Sequence, residues 1–211
     1  MLCNTSANTV ARYKFTSNAN DDSWNWRNAT NVWATFSSNW AYFSDYDKLI
    51  TLPSMTIWKV FTISCWTKLT SNPTTNQEFE IYFDWTASYR NFIFGLTATA
   101  IRWWTWNNST SQNATVSSSV SDFTNWHNYI LVKNWTTLKI YKDWTLVSTW
   151  TSPYNVSIPW WRNPVYLWHS TMMTQSSQWS PWYLKDYIIE NKDWTQSEIT
   201  NYYNKTKNHY V

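Results

Sequence analysis

The chain has 211 residues, of which 43% are apolar and 14% are charged, and its formal net charge at pH 7 is +3. This length allows one substantial core, most simply a single all-β domain whose surface is covered by Asn, Ser and Thr. Because the lysines and arginines form no cluster and no apolar run approaches about eighteen residues, the sequence favours neither nucleic-acid binding nor a membrane span.

Short alternating segments follow one another along the chain, separated by breaks rich in Asn, Ser, Asp and Trp, which is typical of a β-sandwich or barrel. The clearest strand covers residues 61–69, and Cys65 within it is expected to be a small buried hydrophobe. In chain order, strands are predicted at residues 10–15, 34–36, 41–43, 49–52, 61–69, 79–83, 92–96, 115–120, 129–132, 138–141, 146–148, 165–167 and 183–190.

One short helix is predicted near the end of the chain. Thr195 and Glu198 have the spacing of a capping box, and they lead into an apolar face formed by Ile199, Tyr202 and Tyr203. Exposed loops are predicted at residues 70–77, 107–112 and 172–180, and also around Trp103, Trp104 and Trp106.

The sequence divides most simply into a leader or linker at residues 1–9, one domain at residues 10–205 and a tail at residues 206–211. The first residues lack the charged and apolar regions of a signal peptide. We therefore expect the chain to be a fragment of a longer exported protein, located outside the cell or on its surface.

The chain contains 20 tryptophans and 1 glycine, whereas ordinary usage would give roughly 15 glycines. Several tryptophans stand where the backbone favours glycine. Asp143-Trp144 separates two predicted strands and has the form of a two-residue hairpin turn, in which Asp-Gly is preferred because the second residue takes positive φ. Asn134-Trp135 repeats this pattern, and a bulky residue in that conformation costs roughly 1–2 kcal/mol.

Our hypothesis is that the two anomalies have a single cause, in which most of the tryptophans are glycines in the living protein. Some bacterial lineages read the codon UGA as glycine, whereas common alternative codes read it as tryptophan. If about seventeen of the tryptophans were glycine, glycine would return to its ordinary share of roughly 7%. The alternative is a surface protein that is rich in genuine tryptophan.

Four segments, in order, resemble the laminin-G-like, concanavalin A-like jelly-roll family, which includes lectins and glucan hydrolases. They are Tyr13-Lys-Phe15 with the loop at residues 18–30, the strand Phe61-Thr-Ile-Ser-Cys-Trp66, Trp126-His127 with the hairpin after it, and the segment 182–203. The resemblance spans nearly the whole chain. It implies an antiparallel β-sandwich jelly roll with one short C-terminal helix.

The resemblance also divides the tryptophans into genuine ones and positions that we interpret as glycine. Trp66 and Trp126 match positions at which the family itself has tryptophan, which implies genuine aromatic residues buried between the sheets. Trp194 is left open. The positions that we interpret as glycine include Trp24, Trp26, Trp33, Trp40, Trp135, Trp144, Trp160, Trp161, Trp168 and Trp182.

Hydrolases of this fold use paired carboxylates on one strand, roughly 5–5.5 Å apart. The nearest approach is Glu78-Phe-Glu80 followed by Asp84, but Asp84 has the wrong spacing and type, so the pair reads as a solvated strand face. The three histidines have no metal-site spacing. We therefore expect that the chain is not an enzyme.

Oxygen ligands cluster at Asp21, Asp22, Ser23 and Asn25, in a loop that should turn sharply. Calcium takes six to eight such oxygens, and the resemblance adds Asp186 in the closing strand. The prediction is a calcium site formed by Asp21, Asp22, Asn25 and Asp186, and the alternative is an ordinary turn held by side-chain hydrogen bonds.

The resemblance implies a non-catalytic, lectin-like recognition or adhesion module that binds a glycan or a protein at a bacterial cell surface. The first alternative is a structural spacer or a fibre decoration, and the second is a glucan hydrolase. Because a fold does not fix a ligand, the binding residues stay open at this point.

Overall fold

The computed structural model of the protein describes residues 6–45, 47–72, 77–82, 90–96, 99–107, 112–151, 165–167 and 181–209. The strands within these ranges are β1 Thr9–Tyr13, β2 Thr30–Val32, β3 Thr35–Phe36, β4 Ala41–Phe43, β5 Leu49–Thr51, β6 Val60–Leu69, β7 Gln77–Tyr82, β8 Arg90–Leu96, β9 Ala100–Asn107, β10 Gln112–Ser119, β11 His127–Asn134, β12 Thr137–Lys142, β13 Thr145–Thr151, β14 Val165–Leu167 and β15 Trp182–Glu190. The helix α1 covers Gln196–Thr206, and a 3-10 turn follows at Lys207–His209.

The strands form two antiparallel sheets. The first sheet has the order β13-β12-β11-β6-β15-β4-β3, and β1 pairs with the second half of β15. The second sheet has the order β10-β9-β8-β7-β14-β5-β2. The sequence-based expectation of an antiparallel all-β protein with a short C-terminal helix is confirmed.

The main core lies between the two sheets. Phe61 of the first sheet contacts Trp103 of the second, with ring centroids 5.9 Å apart, and both side chains are fully buried. Cys65 belongs to this core, as predicted. Other members are Tyr13, Phe15, Phe43, Ile50, Ile63, Ile101, Leu131, Ile140, Leu167, Trp182, Leu184 and Ile189. Because these residues come from strands far apart in the chain, their burial holds the two sheets together.

The helix α1 covers part of the outer face of the first sheet. Ile199 and Tyr202 pack there against Ile130 and Ile188 in a second apolar cluster. The capping box is confirmed, since Glu198 N–H donates to the Thr195 hydroxyl at 3.3 Å and Thr195 N–H donates to the Glu198 carboxylate at 2.9 Å. Within the described part of the chain, no helix combines the length and apolar character that a membrane span needs.

Two strands differ from the sequence-based expectation. Residues 30–32 form β2, which was not predicted, and Trp103, Trp104 and Trp106 lie in β9 rather than in an exposed loop. Strand β9 pairs along its length with both β8 and β10, and Trp103 points into the core. Pairing with the two neighbouring strands therefore makes this segment a strand. The loop was predicted because its tryptophans were taken for glycines. The predicted loop at residues 172–180 and Trp160, Trp161 and Trp168 lie outside the described residues.

Residues on either side of the predicted domain at 10–205 contact the first sheet. Thr9 opens β1, and its hydroxyl donates to Glu190 at 2.9 Å. At the other end, the buried hydroxyl of Thr206 accepts the indole N–H of Trp66 at 3.1 Å. Both ends of the domain are thus tied to the first sheet by side-chain hydrogen bonds.

Candidate functional site

The part of the first sheet's outer face that α1 leaves uncovered carries a cluster of aromatic rings and two lysines. Strand register builds it, because Lys68 of β6 pairs with Tyr183 of β15, and Tyr183 pairs in turn with Tyr42 of β4. Trp126 and Trp40 stand immediately before β11 and β4 and contact the same group. We call this cluster the aromatic–lysine patch, and it consists of Trp40, Tyr42, Lys68, Trp126, Tyr183 and Lys185.

A bulge in β15 brings Lys185 to this face. Lys185 pairs with Trp66 and Ile188 pairs with Ser64, so two residues of β15 stand opposite Cys65. Asp186, at this bulge, has a positive φ of 48°. As a result Lys185 and Asp186, although consecutive, both lie on the outer side, where Lys185 meets the patch and Asp186 meets Arg12 and Tyr202.

The rings of the patch support one another in several directions. Tyr42 stacks on Tyr183 at 4.7 Å, and Trp40 meets Tyr183 edge-on at 5.9 Å. Trp126 contacts Trp40 at 6.4 Å and Tyr183 at 6.2 Å. All four side chains are partly exposed. The contacts fix the rings, and the remaining exposed faces are available to a ligand.

The ammonium groups of both lysines lie against these rings. The Lys185 ammonium lies 3.6 Å from the centroid of the Trp126 ring, and the Lys68 ammonium lies 5.4 Å from the same centroid and 5.1 Å from that of Tyr183. These are cation–π contacts. Burial, with the like charge of Lys68 adding to it, lowers the pKa of Lys185 to about 7.

Chemically, the patch can bind a ligand that has both an apolar face and polar groups. A sugar ring has such a face, formed by its C–H groups, and stacks on aromatic side chains, while hydroxyl or acidic groups at its rim meet ammonium and phenol groups. Of the six residues, Trp40 and Trp126 were singled out from the sequence, and the other four were missed. The sequence shows that residues 183 and 185 alternate along one predicted strand. It does not show the strand register that places them beside Lys68 and Tyr42.

A second concavity, of about 250 Å³, lies between β1, β15 and α1. The Glu190 carboxylate, which lines it, is already engaged. Glu190 accepts hydrogen bonds from Ser6 and Thr9 at 2.9 Å each and from the Trp194 indole N–H at 2.7 Å. These contacts tie the chain start and the helix entry to β15, so the concavity serves structure better than ligand binding.

The structure places the predicted calcium ligands in two separate sets of contacts. Asp21 accepts hydrogen bonds from the backbone N–H groups of Arg12, Ser23 and Arg27 and from the Ser23 hydroxyl, at 2.7–2.9 Å. Asp186 accepts the Tyr202 hydroxyl at 2.8 Å and pairs with the Arg12 guanidinium at 2.9 Å.

The other two predicted ligands are also engaged. Asp22 pairs with Lys14 at 3.3 Å, and the Asn25 amide donates to the carbonyl groups of Thr9 and Val10. Among the described residues, no three acidic, histidine or cysteine side chains are grouped as a metal site would require. Calcium at these positions would have to displace the donors that hold Asp21 and Asp186, so the arrangement does not fit the ion, and the site stays a prediction.

The predicted carboxylate pair falls on a second bulge. Glu78 pairs with Gly95 and Glu80 pairs with Phe94, so Phe79 is the extra residue of β7. This bulge interrupts the regular alternation of faces along the strand. Asp84 lies outside the described residues.

Three of the predicted glycine positions have the backbone that glycine favours. Trp26, Trp33 and Trp135 have φ values of 55°, 63° and 51°, and their side chains are 82%, 68% and 55% exposed. Trp135 occupies the first of the two turn positions between β11 and β12, and its backbone N–H donates to the Lys59 carbonyl at 3.1 Å.

The hairpin between β12 and β13 differs from the prediction. Trp135 and Trp144 are both exposed at hairpin tips, as expected, but in this second turn positive φ falls on Asp143, at 60°, and not on Trp144. Asp143 is held there because its N–H donates to the Asn128 carbonyl at 2.6 Å and its carboxylate accepts the Asn128 N–H at 3.1 Å.

Other tryptophans pack differently from the sequence-based expectation. Trp66 is fully buried, but it stacks on Tyr203 of α1 at 5.5 Å rather than lying between the sheets. Trp126 is half-buried on the outer face. Trp182, predicted to be glycine, is fully buried and stacks on Phe43 at 4.6 Å. The glycine interpretation of position 182 stays a prediction, and a glycine there would leave a large cavity beside Phe43.

The fold and the patch together define a two-sheet β protein with an aromatic surface suited to ligand binding. No protein-family model and no curated protein matches the sequence. The structure is similar to the binding domain of Paraclostridial Mosquitocidal Protein 1, with a TM-score of 0.75 at 14% identity over 95% of this chain and 53% of that one.

Two clostridial toxin domains are similar to the same degree. The ligand-binding domain of botulinum neurotoxin serotype D, in complex with N-acetylneuraminic acid, has a TM-score of 0.74 at 13% identity over 93% of this chain and 50% of that one. The binding domain of serotype G has a TM-score of 0.75 at 10% identity over 93% and 50%. The chain thus spans about half the length of these structures, and at such identities the likeness shows the fold alone.

Proposed function

We propose that the chain is a non-catalytic recognition module of the laminin-G-like, concanavalin A-like jelly-roll type, and that it binds a glycan as part of a larger exported protein at a bacterial surface. The observation that carries this proposal is the aromatic–lysine patch. Four rings and two ammonium groups meet there on a rigid sheet face.

The similar structures support a binding role and do not supply the site. They are described as binding or ligand-binding domains, and one of them holds a sialic acid. The patch is argued from this chain's own residues. Cross-strand pairing positions Tyr42, Lys68, Tyr183 and Lys185, and ring contacts hold Trp40 and Trp126, which keeps the entropic cost of binding low.

A glycan array probed with the full chain tests the proposal. We expect binding to a defined set of glycans, and we expect Tyr183→Ala and Trp126→Ala each to weaken it by about tenfold or more, because each removes a stacking surface. Trp58→Ala is the matched control, since Trp58 is an exposed tryptophan outside the patch. Absence of glycan binding together with assembly into fibres would favour the spacer or fibre module.

We also propose that some of the tryptophans are glycines in the natural product. The support is strongest at Trp26, Trp33 and Trp135, where a left-handed backbone and an exposed indole coincide. Trp40 is among the positions interpreted as glycine, and without its ring the patch would keep Tyr42, Trp126 and Tyr183 together with both lysines. Mass spectrometry of the native protein decides each position, and a peptide that carries the tryptophan mass at 135 would exclude recoding there.

Calcium at Asp21, Asp22, Asn25 and Asp186 has a direct test in thermal unfolding with and without the ion. A calcium-dependent rise in melting temperature that Asp22→Ala abolishes would support the predicted site. No rise, or a rise that the substitution leaves unchanged, would identify the loop as a turn held by the hydrogen bonds of Asp21.

A further inference from the structure

The two lysines of the patch indicate the charge of the glycan that it would bind. Lys185 is only 3% exposed, and its ammonium lies on the Trp126 ring. Lys68, on the neighbouring strand, contacts the same ring. An anion placed beside two neighbouring ammonium groups on a partly desolvated surface is attracted by both of them.

The rings that surround the lysines restrict which anion fits. Trp126 lies beside both ammonium groups and Tyr183 lies beside that of Lys68, and both rings keep part of their surface exposed. A small inorganic anion would use the charges and leave the rings unused. A sugar that carries a carboxylate would use both, because its C–H face stacks while its acidic group reaches the lysines.

We infer that the aromatic–lysine patch binds an acidic sugar, with the sugar ring stacked on Trp126 or Tyr183 and its carboxylate at Lys68 and Lys185. This inference rests on the proposed glycan-binding function and narrows its ligand class. Burial and the like charge of Lys68 lower the pKa of Lys185 to about 7, so Lys185 carries its charge mainly below that pH, and the test is run there.

The test compares acids with their uncharged methyl esters by titration calorimetry at pH 6.5 on the full chain. One pair is tetragalacturonate and its methyl ester, and the other is 3′-sialyllactose and its methyl ester, so that the two sources of a sugar carboxylate are distinguished. We expect at least one acid to bind about tenfold more tightly than its ester, which is the effect of one charge-assisted hydrogen bond.

Variants assign the preference to the lysines. Lys68→Gln, at a half-buried position, should reduce the acid-to-ester preference about tenfold while binding of the ester persists. Lys185→Met measures the same acid-to-ester preference at the buried lysine. Lys59→Gln is the matched control, because Lys59 lies 5.4 Å from the Trp135 ring, the same separation as Lys68 from Trp126, at a distant hairpin tip.

The outcomes are separable. If acids and esters bind equally well, the acidic-sugar inference is overturned while the glycan-binding function stands. If acetate competes as strongly as the acidic sugars, the site responds to charge alone and the inference is again overturned. If no glycan binds in any form, both proposals fail.

Discussion

The tryptophans at the turns and those in the sheets differ in both backbone and packing. Trp26, Trp33 and Trp135 combine positive φ with side chains more than half exposed. Trp66, Trp103 and Trp182 lie on regular strands and are fully buried against other aromatic rings. At the turns the indole adds strain and little packing, whereas in the sheets it fills space in the apolar clusters.

Tryptophan therefore occurs in this chain both at exposed turns with positive φ and at buried positions on strands. A miscalled glycine should be recognisable by the backbone it occupies, and a genuine tryptophan by the contacts it makes. Trp24 and Trp26 show this within one loop, because both are exposed by more than 80% and only Trp26 has positive φ.

The largest effect is expected from a buried sheet tryptophan. Trp182→Ala should lower the free energy of unfolding by about 3–5 kcal/mol, because it opens a cavity beside Phe43 in the main core. Urea denaturation measures the change. Trp58→Ala, at an exposed position, should change stability by only about 0.5 kcal/mol. A similarly small loss for Trp182→Ala would mean that the core does not depend on this ring.

A smaller effect is expected at the turns. In Trp26→Gly, relief of the left-handed strain offsets the higher entropy of glycine in the unfolded chain, whereas Trp24→Gly carries only the entropic cost. The two variants should therefore differ in unfolding free energy by about 1–2 kcal/mol, in favour of Trp26→Gly. Equal values would contradict the strain that the backbone at Trp26 implies.

The smallest effect is a dependence on pH that comes from the patch. A lysine in the unfolded chain keeps its proton to about pH 10.4, whereas the pKa of folded Lys185 is about 7. Above pH 7 the unfolded state therefore binds more protons, and stability should rise with pH, by at most about 1.4 kcal/mol per pH unit.

Lys185→Met should flatten this rise between pH 7 and 8, as followed by melting temperature. Burial, with Lys59 adding to it, lowers the pKa of Lys133 to about 8, so that lysine adds its own rise at higher pH in both proteins. An unchanged slope in the variant would show that Lys185 does not titrate in this window.

Much of the fold was predictable because its signals are local. The alternation of residues 61–69 and the meander of β11, β12 and β13 depend on neighbouring side chains, and so does the Thr195–Glu198 capping box. The tryptophans at predicted turns likewise indicated positions where the backbone takes positive φ. The structure has positive φ at Trp26, Trp33 and Trp135.

Other features could not be read from local sequence, because they depend on residues far apart in the chain. Asp143, rather than Trp144, takes positive φ since Asn128 binds it across the sheet, and Trp103 is buried because β8 and β10 flank its strand. The patch belongs to this class too, since Tyr42, Lys68 and Tyr183 become neighbours only through pairing of β4, β6 and β15.

The sequence by itself determined an antiparallel β protein with a capped terminal helix, because hydrophobic periodicity and capping act over a few residues. The tertiary structure alone decided which tryptophans are buried and which face the patch, and it placed Lys185 beside Trp126 through a bulge in β15. Strand register and the docking of α1 are long-range choices, and the surface on which the proposed ligand would rest follows from them.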